Sequence, residues 1–158
     1  MLTPPPTTFE PEFIASLREI FEQHIPFNQL LGLKVTELMP ERVSGRVDMR
    51  PELIGHYTHQ RLHGGVISAT LDAMGGVAVM AAIGARHMDE PPARRLQRFA
   101  KLGTIDLRID YLRPAVGEHF IARAEVMRLG SRVASTRMEF CDAQGKLLST
   151  GSAAYIVS

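Results

Sequence analysis

Between Gly64 and Ala85 every residue is apolar or small except one, Asp72. Such a run reads as a helix, and a helix that is apolar on every side has to be buried. The rest of the chain must therefore wrap around it. Asp72 lies near its middle, with no lysine or arginine a turn away to neutralise it. Burying an unpaired carboxylate is costly, and a chain seldom carries that cost for packing alone. Two readings stay open: a structural carboxylate that caps a kink or meets an arginine from another element, and a catalytic base or nucleophile poised by its surroundings.

The flanking sequence supplies the wrapping. Residues 33–38 predict a strand. Residues 42–50 alternate, with Val43, Gly45, Val47 and Met49 on one face and Arg42, Ser44, Arg46 and Asp48 on the other, the pattern of a half-buried strand. From Thr104 onward the alternation returns. It predicts Ile105, Leu107, Ile109 and Tyr111 on one face and Thr104, Asp106, Arg108 and Asp110 on the other. Further strands are expected over 120–129, 133–140 and 147–157, separated by turns at Gly130-Ser131 and at 142–145. Turns this short imply antiparallel neighbours. Upstream, Pro11 suits the first position of a helix with an apolar face of Phe13, Ile14, Leu17, Ile20 and Phe21, and Pro26 is expected to stop it. Residues 86–103, rich in arginine and proline, have no clear period and read as a long loop. The expected fold class is α+β, one long helix wrapped by a five- to six-stranded antiparallel sheet, with an extra N-terminal helix.

Composition narrows the function classes. A chain of 158 residues holds one domain with a sizeable core. Its 18 basic and 17 acidic residues leave a formal charge of +1, without the basic footprint of a nucleic-acid binder. The single cysteine, Cys141, has no partner for an internal disulfide, and a reducing cytoplasm is the expected compartment. His56, His59 and His63 lack a nearby glutamate or cysteine to complete a metal site, so no metal and no cofactor are expected. The first residues have no basic region followed by an apolar one, and the most apolar stretch, 77–85, is shorter than the ~20 residues of a membrane span, so neither a targeting segment nor a membrane partner is expected. Pro4-Pro5-Pro6 predicts an extended, frayed arm.

Gly64-Gly65 opens the apolar helix. Two glycines there leave bare backbone N–H groups at the positive end of the helix dipole, suited to a developing negative charge. The string Leu62-His63-Gly64-Gly65-Val66 leading to Leu71-Asp72 resembles the signature of hotdog-fold acyl-CoA thioesterases of the phenylacetate-pathway (PaaI-like) type. The segment from Thr104 to Pro114, with Gly117 beyond it, resembles that family's long central strand. Gly130-Ser131-Arg132 is similar to its hairpin, and Gly145-Lys146-Leu147-Leu148 to its final turn. The resemblance covers roughly residues 27–158 as the hotdog domain, leaving an arm and helix over 1–26.

The resemblance implies hydrolysis of an acyl-CoA by a homodimer or a dimer of dimers. The Gly65 amide would polarise the thioester carbonyl. Asp72 would activate water or attack directly, and the Thr104 hydroxyl would help place the water. His63 would orient the turn or bond near the carbonyl. Many members carry an asparagine six or seven residues before that histidine; His56 and Tyr57 stand there instead, so His56, or His59, is given this contact. Gly64, His59, Arg113, Ser131 and Arg132 are expected around the substrate, the two arginines near the coenzyme phosphates, although an edge arginine in solvent is an equal reading of either. Arg94, Arg95 and Arg98 have the same two readings, phosphate contacts or a soluble face. Alternatives to hydrolysis are a non-catalytic acyl-CoA-binding module and a hotdog hydratase or dehydratase. The hydratase branch uses an Asp with a His five residues later, and the dehydratase branch a glutamate on the central helix. This chain has neither.

Overall fold

The computed structural model describes residues 8–158; the expected arm at Pro4–Pro6 lies outside the described residues. Helix α1 (Pro11–Glu19) runs on through a π-helical turn, Ile20–His24. That helical run ends before Pro26, as expected, with Ile25 extended, and Pro26 also begins a second helix, α2 (Pro26–Leu31). Proline breaks the ladder behind it and suits the first position of the helix ahead. Gly32, with φ +71°, closes α2 in the left-handed conformation.

Strands β1 (Lys34–Leu38) and β2 (Val43–Asp48) follow, then a small hairpin of β3 (Ile54–His56) and β4 (Arg61–Leu62). The apolar run forms α3 (Gly64–Arg86). After α4 (Pro92–Leu96) come the long strands β5 (Gly103–Tyr111), β6 (His119–Leu129), β7 (Val133–Asp142) and β8 (Leu147–Ile156). The main sheet has six strands in the order β1-β2-β6-β7-β8-β5, antiparallel throughout. It curls around α3, whose Leu71, Met74, Val77, Val79 and Met80 are fully buried. Each such side chain contributes about 1.5–3 kcal/mol on leaving water. By length and composition α3 is apolar enough to cross a membrane, yet 72% of its most apolar window is buried inside the fold. It is the core helix.

The N-terminal helices cover the side of α3 that the sheet leaves open. Phe13 packs where α3 carries Gly84, a close approach that a β-carbon would prevent because it would stand 2.4 Å from the Phe13 ring. Residues 86–103 are not a plain loop: α4 and a 3-10 turn (Gln97–Lys101) occupy much of the segment. Of its arginines, Arg94 is exposed and fits the soluble-face reading, while Arg95 and Arg98 fit neither of the two. Arg95 is fully buried, donates to Glu10 Oε1 at 2.6 Å and lies 4.6 Å from the Phe13 ring centroid. Arg98 donates twice to the Glu90 carboxylate, at 2.5 and 2.9 Å. Arg95 clamps the N-terminal layer in place, and Arg98 ties the 86–103 segment to itself. Glu10 is 85 residues from Arg95 in sequence, beyond the reach of any local pattern.

Candidate active site

Asp72 is half-buried, and its partners are hydroxyls rather than an arginine. Thr104 Oγ1 donates to Asp72 Oδ1 at 2.8 Å. The Tyr155 hydroxyl lies 2.8 Å from the Asp72 carbonyl oxygen and 3.2 Å from Oδ1. Simple alternation predicts Thr104 on the face opposite Leu107 and Ile109. A β-bulge between Thr104 and Asp106 resets the phase of β5. It turns Thr104 inward to the helix and leaves Ile105 56% exposed. Bulges re-aim side chains in this way at the cost of one unpaired residue.

The helix start is arranged differently. His63 occupies the N-cap of α3, and its Nδ1 accepts the Gly65 N–H at 2.8 Å. That bond places the proton of a neutral imidazole on Nε2, which then faces outward as a donor. Tyr111, at the end of β5, donates to the Gly64 carbonyl at 2.8 Å and ties the helix start to the sheet. Gly65 and His63 are exposed, as are His56 and His59, whose rings lie 4.8 Å apart beside the β3–β4 hairpin. Thr58 Oγ1 is 2.8 Å from His56 Nδ1. Arg113 is exposed and donates to the Leu147 carbonyl at 2.9 Å. Ser131 and Arg132 form the exposed turn between β6 and β7.

The structure therefore groups the expected residues into a pair, Asp72 with Thr104, and a cluster at the helix start, His63 with Gly64 and Gly65. It does not bring the two groups together within one chain. Seven residues of helix separate Gly65 from Asp72, a rise of roughly 10 Å at ~1.5 Å per residue. The turn at Ser131-Arg132 belongs to neither group.

Two cavities lie along this face of α3. One, of about 270 Å³, is walled by Phe21, Ile25, Phe27 and Leu102 and has Asp72 as the one carboxylate among its lining residues. The other, of about 570 Å³, adjoins Gly65 and His63 and is lined by Phe27, Leu30, Leu53 and Val66, with Arg50 and Glu52 also on its wall. Phe27 of α2 borders both. Among the described residues no three His, Cys, Asp or Glu side chains come together as a metal site. Sequence reasoning missed Tyr155, Tyr111 and Phe27. Only Tyr155 left a trace, in Gly75-Gly76: glycine within a helix marks a close approach of something else.

A curled six-stranded antiparallel sheet wrapped around one long apolar helix is the hotdog architecture. The chain belongs to the thioesterase superfamily, whose family model matches residues 59–149. It is 34% identical over 139 residues to the medium/long-chain acyl-CoA thioesterase YigI of Escherichia coli, a match covering 88% of this chain and 90% of that protein. Among solved structures, a Shewanella oneidensis protein related to the thioesterase superfamily superposes with a TM-score of 0.86 at 39% identity, covering 95% of this chain and 100% of the other. Mouse thioesterase superfamily member 2, at 20% identity and a TM-score of 0.70 over 91% of this chain and 96% of that one, shares the fold.

Proposed function

We propose that this chain hydrolyses acyl-CoA to free acid and CoA, with Asp72 as the reacting carboxylate. One observation carries the reading: Asp72 stands on the wall of an apolar cavity with hydroxyls, not a cation, on its carboxylate. A carboxylate held by hydroxyls rather than locked in an ion pair can take a proton or attack. The relationship to YigI, named for medium/long-chain acyl-CoA, supplies the substrate class. The two apolar cavities suit its acyl chain.

In the water route, Asp72 takes a proton as the water oxygen bonds to the thioester carbon. The C–S bond then breaks and the sulfur leaves as the CoA thiol, carrying that proton. In the nucleophile route the carboxylate itself bonds to that carbon as the C–S bond breaks and CoA leaves as its thiolate. Water then cleaves the mixed anhydride to the free acid, restoring the Asp72 carboxylate, and the thiolate takes up the proton released. In both, negative charge develops on the carbonyl oxygen and is met by the Gly65 amide at the positive end of α3. The exposed His63 ring swings off that amide as the oxygen arrives, and His56 or His59 gives a further polar contact. Gly64, Arg113, Ser131 and Arg132 border the rest of the substrate, the arginines facing the coenzyme phosphates. A carbonyl within ~3 Å of the Gly65 amide cannot also meet Asp72 of the same helix, so a two-fold partner brings its own Asp72 to it. Residues 27–158 make up the thioesterase domain, and the preceding helix serves as an added wall. The single, buried, unpaired Cys141 suits a reducing cytoplasm.

The test is Asp72→Asn, assayed by free-thiol release from a panel of acyl-CoAs. Turnover should fall about a hundredfold or more, the size of a lost base or nucleophile, with the thermal midpoint little changed. A variant that kept more than a tenth of wild-type kcat on its best substrate would remove Asp72 from the chemistry.

A further inference from the structure

The two oxygens of the Asp72 carboxylate are not equivalent. Oδ1 accepts from Thr104 at 2.8 Å and has the Tyr155 hydroxyl at 3.2 Å. Thr104 and Tyr155 are directly opposed across β5 and β8. Opposed residues in an antiparallel pair point to the same face, so the bulge that turns Thr104 inward puts both hydroxyls over one carboxylate. Tyr155 is 2% exposed, and its phenol oxygen reaches the helix through a gap that only glycine leaves. A β-carbon on Gly75 would stand 2.1 Å from that oxygen. The phenol's pKa is pushed well above its ordinary value, first by burial and then by the charge of Asp72, so it remains a hydrogen-bond donor throughout the working pH range.

We infer that Tyr155 is a positioning residue for the reacting carboxylate. The Thr104–Tyr155 cross-strand pair grips Asp72 by Oδ1 and by its backbone carbonyl, and leaves Oδ2 as the oxygen that meets water or the thioester carbon. This rests on the reading of Asp72 as the reacting group. A buried phenol needs a hydrogen-bond partner, and Asp72 offers two at once. Fixing one oxygen removes rotation of the carboxyl about its last bond, the freedom a helix-borne Asp otherwise keeps. A misplacement of about 1 Å in a reacting group costs up to about a hundredfold in rate. A mere packing role would also fill this space, but it would not need the hydroxyl.

Tyr155→Phe keeps the ring and deletes the grip. It should lower kcat about tenfold or more, in line with a loosened reacting group, and leave KM within about twofold, because Tyr155 reaches the substrate only through Asp72. In an Asp72→Asn background it should add no further loss, since its effect runs through the carboxylate. Gly75→Ala is the second probe: it displaces the phenol without altering it, and should cost more kcat in wild type than in Tyr155→Phe. Tyr155→Phe at wild-type kcat, or losses that multiply with those of Asp72→Asn, would overturn the positioning role. If Asp72→Asn itself stays active, the reading of Asp72 falls first, and the Tyr155 grip falls with it.

Discussion

At Asp72, helix α3 is met from three sides, by Tyr155 of β8, by Thr104 of β5 and by the π-helical turn and α2 across the cavity. Two turns earlier, Gly65 stands exposed, its amide held by a histidine two residues before it. The carboxylate end is finished within one chain. The glycine end has the electrostatics of a helix start but not Asp72, the carboxylate proposed to react. Under the proposed mechanism, that difference teaches that a partner chain would have to complete the glycine end. A helix N-terminus can stabilise charge, and it cannot supply a base. β5, at the edge of the sheet, leaves Ile105, Tyr111 and the following Leu112 more than half exposed, at 56%, 54% and 51%. Such an edge invites pairing with another strand.

The sharpest way to break this comparison is to disable one end in each of two chains. Asp72→Ala removes the finished end, and Gly65→Val obstructs the unfinished one. Each variant alone should be inactive. Refolded together at random, half the dimers are mixed and each mixed dimer has one intact site, so activity should return to roughly a quarter of wild type. If mixed dimers demonstrably form and activity stays at background, the two ends do not act across chains.

The contrast between the ends also marks what could be read from sequence. The apolar run and its single carboxylate dictate a buried helix and single out Asp72 with no structure in hand. The alternation in β2 and β6–β8 dictates the antiparallel sheet. Thr104 is instructive because period-two reasoning faces it outward, and a bulge faces it inward. Bulges follow from how two strands fit, and neither strand alone shows them. Tyr155 is invisible for the same reason, since its meaning lies in Gly75, 80 residues away. Arg95 looks like a surface cation until Glu10 and Phe13 fold over it. Local chemistry was legible, and partners set by long-range packing were not.

Arg95 gives the next test, because it holds the wall on the Asp72 side and touches nothing at Gly65. Arg95→Met keeps the apolar bulk and deletes the clamp on Glu10. The expected cost is about 2–4 kcal/mol, below that of breaking a wholly buried pair because Glu10 keeps some contact with water. That corresponds to a fall of roughly 5–15 °C in Tm for a domain of this size. The effect also carries a pH signature. The Arg95 guanidinium and then the backbone of Glu10 itself hold the Glu10 carboxyl below its ordinary 4.5. A carboxylate whose pKa is lowered on folding contributes stability that is complete above its ordinary value and is lost as pH falls through the lowered one. Wild type should therefore shed this stability on acidification below about pH 4.5, and Arg95→Met should lose the larger part of that component, the part due to Arg95. Equal acid sensitivity in both proteins would mean that the clamp does not hold the N-terminal layer.

The smallest expected effect is at Cys141, and its smallness is informative. Thiols are the strongest nucleophiles a chain offers, so a comparison between two ends of one helix assumes that this one takes no part. Cys141 lies near the end of β7, 2% exposed, with Arg123 Nη1 3.8 Å from its sulfur. Burial raises its pKa above the ordinary thiol value, and the nearby Arg123 only partly offsets this. The thiolate, the reactive form, is therefore scarce at neutral pH. Neither cavity along α3 includes it among its lining residues. Cys141→Ser should leave kcat and KM within about twofold of wild type and cost about 1 kcal/mol or so of stability, from placing a hydroxyl where a small apolar group sat. Alkylation of the native protein should be slow and should not track loss of activity. Rapid inactivation by an alkylating reagent, abolished by Cys141→Ser, would move the chemistry off α3 and onto the sheet.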